Sequence, residues 1–177
     1  MIRLAEKKDI VSINDIYNQA VAARFETADI DPISYADRLK WYDLHNKTRY
    51  PVFVYEIDEK VVAWLSISPY RQGRMALRNT AEISYYVDKK KVRQGIGSQL
   101  ISHGLSESKK LNYSVLIAIV LDRNNASMNI LEKHGFTAWG RLPGVADFKG
   151  EICGHVYYGI NLSEKPCKNS YLHFITE

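Results

Sequence analysis

The segment from residue 80 to residue 98 reads Thr80-Ala81-Glu82-Ile83-Ser84-Tyr85-Tyr86-Val87-Asp88-Lys89-Lys90-Lys91-Val92-Arg93-Gln94-Gly95-Ile96-Gly97-Ser98. Its first eight residues predict a strand that presents Ala81, Ile83, Tyr85 and Val87 on one face and Glu82, Ser84 and Tyr86 on the other. After Ser98, helically spaced apolar residues predict a helix. Two glycines before that helix let the backbone approach a ligand closely. Because the first turn of a helix has unpaired N–H groups and the positive end of the dipole, this segment indicates an anion site.

Other readings of the same glycines are weaker. A dinucleotide-binding G-x-G-x-x-G pattern needs glycine at position 100, which is Leu100, and the P-loop pattern G-x-x-x-x-G-K-[ST] is absent. A tight structural turn remains an alternative for the two glycines. The lysine run beside them could equally be a solvated face.

Outward from this segment, the pattern predicts the order β-α-α-β-β-β-α-β-α-β-β. A helix is expected from about Asp9 to Ala22, and a second one is expected to start near Ser34, which has Asp37 three residues on as in a capping box. This order implies one α/β (α+β) domain, with a mixed central sheet and helices on both faces, over residues 1–162. Residues 163–177 are a C-terminal tail whose end, Tyr171 to Ile175, could add a strand.

Composition excludes several classes of protein. The chain has 177 residues, of which 46% are hydrophobic and 25% charged, and its net charge is +4. These are values of a globular domain, and the sequence has no apolar run of membrane-spanning length. Two cysteines, Cys153 and Cys167, fit a reducing compartment such as the cytoplasm. The histidines and cysteines lack the spacing of metal ligands, so no metal is expected. The charge is too small to indicate nucleic-acid binding.

The glycine segment resembles the acetyl-coenzyme A loop of the GNAT superfamily of N-acetyltransferases, Q/R-x-x-G-x-G/A. Downstream, Asn124-Asn125-Ala126-Ser127 and Leu131-Glu132-Lys133-His134-Gly135-Phe136 resemble its second coenzyme segment. Within the superfamily the chain is most similar to the phosphinothricin and methionine-sulfoximine acetyltransferase group. The matching pieces include Ile16 to Val21, Phe25-Glu26-Thr27, Arg38 with Trp41, Tyr50-Pro51-Val52, and Arg78 to Val87.

The resemblance implies an enzyme that transfers an acetyl group from acetyl-CoA to the amine of a small amino-acid-like substrate by direct attack. It implies that backbone N–H groups from Arg93 to Ser98 (Arg93, Gln94, Gly95, Ile96, Gly97, Ser98) bind the pyrophosphate. The strand end at Tyr85, Tyr86 and Val87 would pair with the pantetheine arm, and one of its N–H groups would polarise the thioester. Asn124 and Ser127 would contact the coenzyme arm. Members of the group are commonly homodimers.

Glu82 is the candidate general base, because a partly desolvated carboxylate can take a proton from an ammonium group. The alternative is a surface carboxylate paired with Arg78 or Lys60. Arg71 and Arg78, with Arg74, could clamp a substrate carboxylate. Phe25 and Glu26 could line the acceptor pocket, or could be a core phenylalanine and an exposed glutamate.

Two departures from the family pattern matter for function. The first position of the loop is Val92, where Gln or Arg is usual, and Leu131 stands where a proton-donating His or Tyr is often found. These residues keep open a catalytically reduced acyl-CoA-binding module. A peptide or protein N-terminus, or another small amine, is the alternative acceptor.

Overall fold

In a computed structural model that describes residues 1–163, the fold is built on one seven-stranded sheet. The remainder of the predicted tail, including its possible added strand, lies outside the described residues. In chain order the elements are β1 (Ile2–Leu4), α1 (Ile10–Ala23), α2 (Tyr35–Asp43), β2 (Val52–Ile57), β3 (Lys60–Pro69), β4 (Thr80–Val87), α3 (Ile96–Lys110), β5 (Val115–Leu121), α4 (Asn125–Lys133), β6 (Thr137–Phe148) and β7 (Glu151–Asn161). The predicted element order is therefore confirmed.

The sheet is mixed, as predicted. Its strand order is β1-β2-β3-β4-β5-β7-β6, and β4–β5 is the parallel pair in this otherwise antiparallel sheet. The crossover between these two strands is α3, because parallel neighbours require a connection that returns across the sheet. The alternation of strand direction is thus interrupted at the centre of the sheet, between β4 and β5.

The alternation of side chains along the strands divides the core into two layers. Val54 and Trp64 face α1 and α2, while Phe53 and Leu65, one residue away on the same strands, face α3. The helices therefore cover both faces of the sheet, which confirms the predicted fold class.

Local signals account for the helix starts that were predicted. The hydroxyl of Ser34 accepts a hydrogen bond from the amide of Asp37 at 3.1 Å, which satisfies one of the free amides at the start of α2. The carboxylate of Asp37 accepts a hydrogen bond from the same hydroxyl at 2.7 Å. The predicted cap is present, and it is closed through the serine hydroxyl.

One boundary differs from the prediction. The sequence pattern from Phe136 to Leu142 predicts a strand that ends at Leu142. In the structure this strand continues to Phe148 as β6, and its pairing register with β7 shifts between Leu142 and Ala146. Pro143 lies within that irregularity. Proline has no N–H to donate, and it is tolerated in an edge strand at a bulge, so the strand resumes after it.

Candidate active site

The loop before α3 is shaped to bind an anion. Gly95, which precedes the first helical residue, has φ +78° and ψ 1°, a left-handed conformation that side chains disfavour. Gln99 is the first residue of the helix whose amide bonds back to the loop, to the carbonyl of Gly95 at 3.0 Å. Among the described residues, the amides of Ile96, Gly97 and Ser98 have no acceptor. Free amides at the positive end of a 15-residue helix form a site suited to an anion such as a phosphate group.

Close packing also favours glycine at position 97. A Cβ atom at this position would lie 3.2 Å from Cε2 of Tyr85 and 3.3 Å from Cδ1 of Ile130. The helix start therefore packs tightly against β4 and α4. This contact holds the free amides close to the strand that carries Glu82.

A gap opens between the two central strands. The parallel pairing of β4 with β5 comprises Thr80 with Val115, Ala81 with Leu116 and Glu82 with Ile117, and it ends there. Toward β3, the amide of Asp88 bonds to the carbonyl of Val62 at 2.8 Å. Since N–H groups alternate sides along a strand, the backbones of Tyr85 and Val87 face the gap and that of Tyr86 faces β3. The gap therefore offers unpaired backbone groups from two of the three predicted pantetheine-binding residues.

The residues around this gap include the predicted second coenzyme segment. A narrow cavity of about 40 Å³ is lined by Tyr85, Asn124, Ser127 and Leu131, among others. Asn124 caps α4, because its Oδ1 accepts a hydrogen bond from the amide of Ser127 at 3.1 Å. The start of a second helix thus borders the gap beside the strand edge.

The two tyrosines of β4 lie on opposite faces of the sheet. Tyr86 packs on the face of the sheet that α1 covers, with its ring 4.9 Å from that of Tyr17 and 4.8 Å from that of Trp64. The Tyr85 hydroxyl is buried beside Ser127 and forms no hydrogen bond of ordinary geometry. Burial raises the pKa of both phenols, so both are neutral near pH 7.

A larger cleft lies on the opposite face of the sheet from α3. Its volume is about 630 Å³, which is in the range of small-molecule sites. Side chains from β3 and β4 form its floor, and the segment that joins α1 to α2 forms part of its wall. The lining includes Tyr17, Glu26, Asp29, Arg38, Trp41, Trp64, Ser66, Ser68, Glu82, Ser84, Tyr86 and His155.

Glu82 is half-buried on the floor of this cleft. Burial raises the pKa of its carboxyl, and no described cation forms an ion pair with it. Arg78 instead donates to the carbonyl of Met75 at 3.1 Å. The structure thus does not form the alternative pairing of Glu82 with Arg78 or Lys60, and the carboxylate lines the cleft without an ion pair to a described cation.

Phe25 and Glu26 separate into different environments. The ring of Phe25 packs 4.9 Å from that of Phe148, in a small cluster with Leu121 and Cys153, and it does not line the cleft. Glu26 lines both the cleft and the gap. Although Glu26 is largely exposed, reduced hydration at the cleft raises the pKa of its carboxyl, and Lys89 opposes that shift.

The predicted arginines lie outside the cleft lining. Arg71 and Arg78 are exposed on the β3–β4 loop, and the Arg71 guanidinium lies 5.7 Å from the centre of the Tyr70 ring. The arginine that does line the cleft is Arg38, which sequence reasoning did not select as a site residue. The pattern offered one signal, because Arg38 and Trp41 are three residues apart and so share a helix face.

Arg38 is a buried cation without a described carboxylate partner. It is 5% exposed, its guanidinium lies 4.1 Å from the centre of the Tyr17 ring, and its Nε donates to Oδ1 of Asn14 at 3.4 Å. Burial lowers the pKa of the guanidinium, because the charged form loses hydration. Stacking on aromatic faces compensates only part of that loss, so an anion in the cleft would be bound favourably.

Comparison with known proteins gives the family. The model of the acetyltransferase (GNAT) family matches residues 13–136, which include the glycine loop, Glu82 and the start of α4. The chain belongs to this family. The mixed seven-stranded sheet with its four helices is the GNAT fold, and the activity of the chain is acetyl-CoA-dependent N-acetyl transfer.

Three relatives place this GNAT protein more closely. It is 31% identical over 163 residues to the L-methionine sulfoximine/L-methionine sulfone acetyltransferase of Salmonella typhimurium (92% of this chain, 95% of that one). It is 30% identical over 144 residues to the phosphinothricin N-acetyltransferase of Streptomyces viridochromogenes (80% and 76%). The structure of yncA from Salmonella typhimurium, solved with its cofactor acetyl-CoA, superposes with a TM-score of 0.88 at 27% identity (97% and 98%).

Two residues of this GNAT chain depart from the family pattern, and the structure shows where they lie. Leu131 is fully buried in the core beside the gap and has no proton to donate. Val92, at the first position of the loop, is exposed, and the amides of residues 96–98 lie at the start of α3 without needing its side chain. The loop therefore keeps its backbone cradle.

The structure contains no helix, within the residues it describes, that is long and apolar enough to cross a membrane.

Proposed function

We propose that this protein acetylates the primary amine of a small amino-acid-like substrate of the phosphinothricin or methionine-sulfoximine type. The observation that carries the proposal is the position of Glu82. It is the last residue of β4 to pair with β5, and its side chain lies in the acceptor cleft. A base at this point has the gap for the thioester on one side and room for an amine on the other.

The proposed binding of acetyl-CoA uses backbone groups at two places. The amides of Ile96, Gly97 and Ser98 would hold the pyrophosphate, and Arg93 and Gln94 precede them in the exposed part of the loop. The free strand edge at Tyr85 and Val87 would pair with the pantetheine arm, with Asn124 and Ser127 beside it. An N–H group of that edge, aimed at the thioester oxygen, would stabilise the negative charge that develops there.

The proposed reaction needs one base and one leaving group. The acceptor ammonium gives a proton to Glu82, directly or through a water molecule. The amine lone pair then forms a bond to the thioester carbonyl carbon, the carbon–sulfur bond breaks, and its electron pair leaves with sulfur. The nitrogen gives a second proton to solvent and becomes the neutral amide. The thiolate takes a proton from solvent, since Leu131 cannot supply one.

Two observations support an acceptor that carries an anionic group as well as an amine. The cleft is enclosed on one side by aromatic residues and contains Arg38, a buried cation that forms no ion pair with a described carboxylate, although the charge of Asp29 in the same cleft acts on it. The named relatives include enzymes for L-methionine sulfoximine and phosphinothricin, which are both amino-acid analogues. Arg71 and Arg78 lie on the loop that leaves β3 directly after the cleft, and they remain candidates for a second contact at its mouth.

The test is release of coenzyme A thiol with a panel of amines. We expect turnover with methionine sulfoximine or phosphinothricin, and little turnover with peptides of random sequence. Tight binding of acetyl-CoA in calorimetry without turnover on any amine would support the catalytically reduced module. Faster turnover on peptides than on amino acids would support the peptide acceptor.

We further infer a cytoplasmic homodimer in which β6 lies at the interface. This edge strand has exposed apolar side chains, including Trp139 at 48%, Leu142 at 44% and Val145 at 55%. Exposed apolar edge strands pair readily with another chain. Light scattering after size-exclusion chromatography should give twice the mass of the chain, and Val145→Lys should give the single mass. A wild-type monomer would contradict the inference.

A further inference from the structure

His45 forms a hydrogen bond with a residue that lines the acceptor cleft. It follows α2, and its ring is half-buried 4.3 Å from the ring of Trp41. Its Nδ1 lies 2.8 Å from the carbonyl oxygen of Trp41, and its Nε2 lies 3.0 Å from Oγ of Ser68. Ser68 lines the cleft on β3, so a side chain outside the cleft lining contacts one within it.

The direction of these hydrogen bonds follows from the chemistry of the two partners. A carbonyl oxygen only accepts, so Nδ1 of His45 must carry a hydrogen. Burial lowers the pKa of His45, with Arg38 acting in the same direction and the Trp41 carbonyl opposing it, so the ring is neutral near pH 7. In a neutral ring with hydrogen on Nδ1, Nε2 is an acceptor. The hydroxyl of Ser68 therefore donates to His45.

This leaves the oxygen of Ser68 as an acceptor toward the cleft. A serine hydroxyl has one hydrogen and two lone pairs. In Ser68 the hydrogen is donated to His45. Ser68 makes no other hydrogen bond among the described side chains. Any group that approaches Oγ from the cleft must accordingly bring its own hydrogen.

Ser68 also lies directly across from the proposed base. In the antiparallel register of β3 and β4, Ser68 is the partner of Glu82, and both side chains are on the cleft face. Directly opposite side chains have Cβ atoms about 5 Å apart. The pair thus presents a carboxylate and a hydroxyl oxygen side by side, with no hydrogen to offer. Such a pair suits a group with several N–H bonds.

We propose that Ser68, oriented by His45, is the second acceptor for the substrate amine, alongside Glu82. This inference rests on the proposed function and deepens it. One N–H bond points to Glu82, which takes its proton, and another stays bonded to Ser68. The lone pair created by that proton transfer first points at Glu82, and the bond to Ser68 holds the nitrogen in place while the lone pair turns toward the thioester carbon. Ser68 is a substrate-binding residue, and His45 is a positioning residue that acts through it.

The first experiment compares Ser68→Ala with Ser66→Ala. Ser66 is the matched control, because it lies two residues away on the same strand and lines the same cleft without contacting His45. A lost hydrogen bond to a charged or reacting amine corresponds to roughly a tenfold effect or more. We expect Ser68→Ala to lower kcat/KM for the amine at least about tenfold, with the affinity for acetyl-CoA unchanged. Equal losses in the two variants would overturn the proposal.

The second experiment tests the role of His45. His45→Phe keeps an aromatic ring against Trp41 but frees the Ser68 hydroxyl to donate, so it should lower kcat/KM by a similar factor. The double variant should lose no more than Ser68→Ala alone, because both changes remove one interaction. A general structural defect would instead give losses that multiply. Ser68→Thr keeps the hydroxyl and should recover most of the activity; multiplying losses or no recovery would overturn the proposal.

The third measurement is independent of turnover. Long-range ¹H–¹⁵N spectra should show the His45 ring neutral, with hydrogen on Nδ1, and the Nε2 signal should shift in Ser68→Ala. A ring with hydrogen on Nε2 would overturn the proposal even if no acceptor amine is found. Conversely, an active enzyme with equal Ser66 and Ser68 variants would reject this inference and leave the proposed acetyl transfer intact.

Discussion

Glu82 is paired with Ile117 at the point where β4 and β5 separate. The strand before this pair is held in the sheet, and the strand after it has backbone groups free toward the gap. A side chain at this position is therefore anchored by a regular ladder, while the proposed thioester site begins one or two residues away. This relationship makes Glu82 the first residue to test.

Replacing Glu82 by Gln should lower kcat strongly. The amide keeps the size of the side chain but cannot take a proton, and a positioned general base contributes roughly 10²- to 10⁴-fold. We expect the affinity for acetyl-CoA in calorimetry to change little. Retention of more than about a tenth of the wild-type kcat would show that another group or solvent serves as the base.

The same carboxylate should set the acid side of the pH–rate profile. Burial raises the pKa of Glu82, and the base works only when ionised, so the rate should rise with pH through that raised pKa. In Glu82→Gln, the residual rate should lack this ionisation. A profile of kcat/KM against pH, measured with an acceptor whose own amine pKa is known, separates the two groups.

The contribution of Glu82 to protein stability should have the opposite pH dependence: the rate rises as the carboxyl ionises, whereas the free energy of unfolding falls. A carboxyl whose pKa is higher in the folded state contributes stability below its unfolded value of 4.5, and that contribution is lost as pH rises through the folded pKa. At pH 7, Glu82→Gln should therefore be at least as stable as the wild type. The difference should vanish near pH 4. Thermal unfolding at both pH values measures it, and a less stable variant at pH 7 would contradict the assigned cause of the shift.

Gly95→Ala should weaken both the fold and coenzyme binding. Gly95 has φ +78°, and a side chain in the left-handed region costs about 1–2 kcal/mol per residue. Moving this residue also shifts the free amides that follow it. Urea unfolding and calorimetry with acetyl-CoA should detect the two effects. Gly73→Ala is a control, since Gly73 has φ +77° on the distant β3–β4 loop and should affect stability without changing the affinity for the coenzyme.

Arg38→Met should remove discrimination for the substrate carboxylate. Comparison of an amino-acid acceptor with its amide or alcohol analogue isolates the carboxylate, and we expect the wild type to prefer the acid by about tenfold or more. In Arg38→Met that preference should largely disappear, mainly through KM. Arg71→Ala and Arg78→Ala are the matched comparisons. Loss of the preference in either of these variants, with Arg38→Met unaffected, would show that the substrate carboxylate binds to the β3–β4 loop and not to Arg38.

Patterns in sequence predicted the strands and helices well, because each depends on neighbours along the chain. The alternation in residues 80–87 placed Glu82, Ser84 and Tyr86 together, and they line one cleft. Ser34 and Asp37 marked a helix start that the structure contains. The continuation of β6 past Pro143 was not predicted, since its pairing with β7 is what holds the strand together on both sides of the proline.

The residues of the candidate site also differ in whether local sequence or tertiary contacts determine their position. Short-range information was enough to predict the turn at Gly95 and the strand face that carries Glu82, because a φ of +78° and a strand face are properties of a few consecutive residues. Arg38 and Ser68 come from α2 and β3, and only folding brings them to one cleft. Folding also places His45, from the turn between α2 and β2, against Ser68. The protonation and orientation of these side chains depend on burial and on contacts between residues far apart in the chain, and a local sequence pattern cannot predict them.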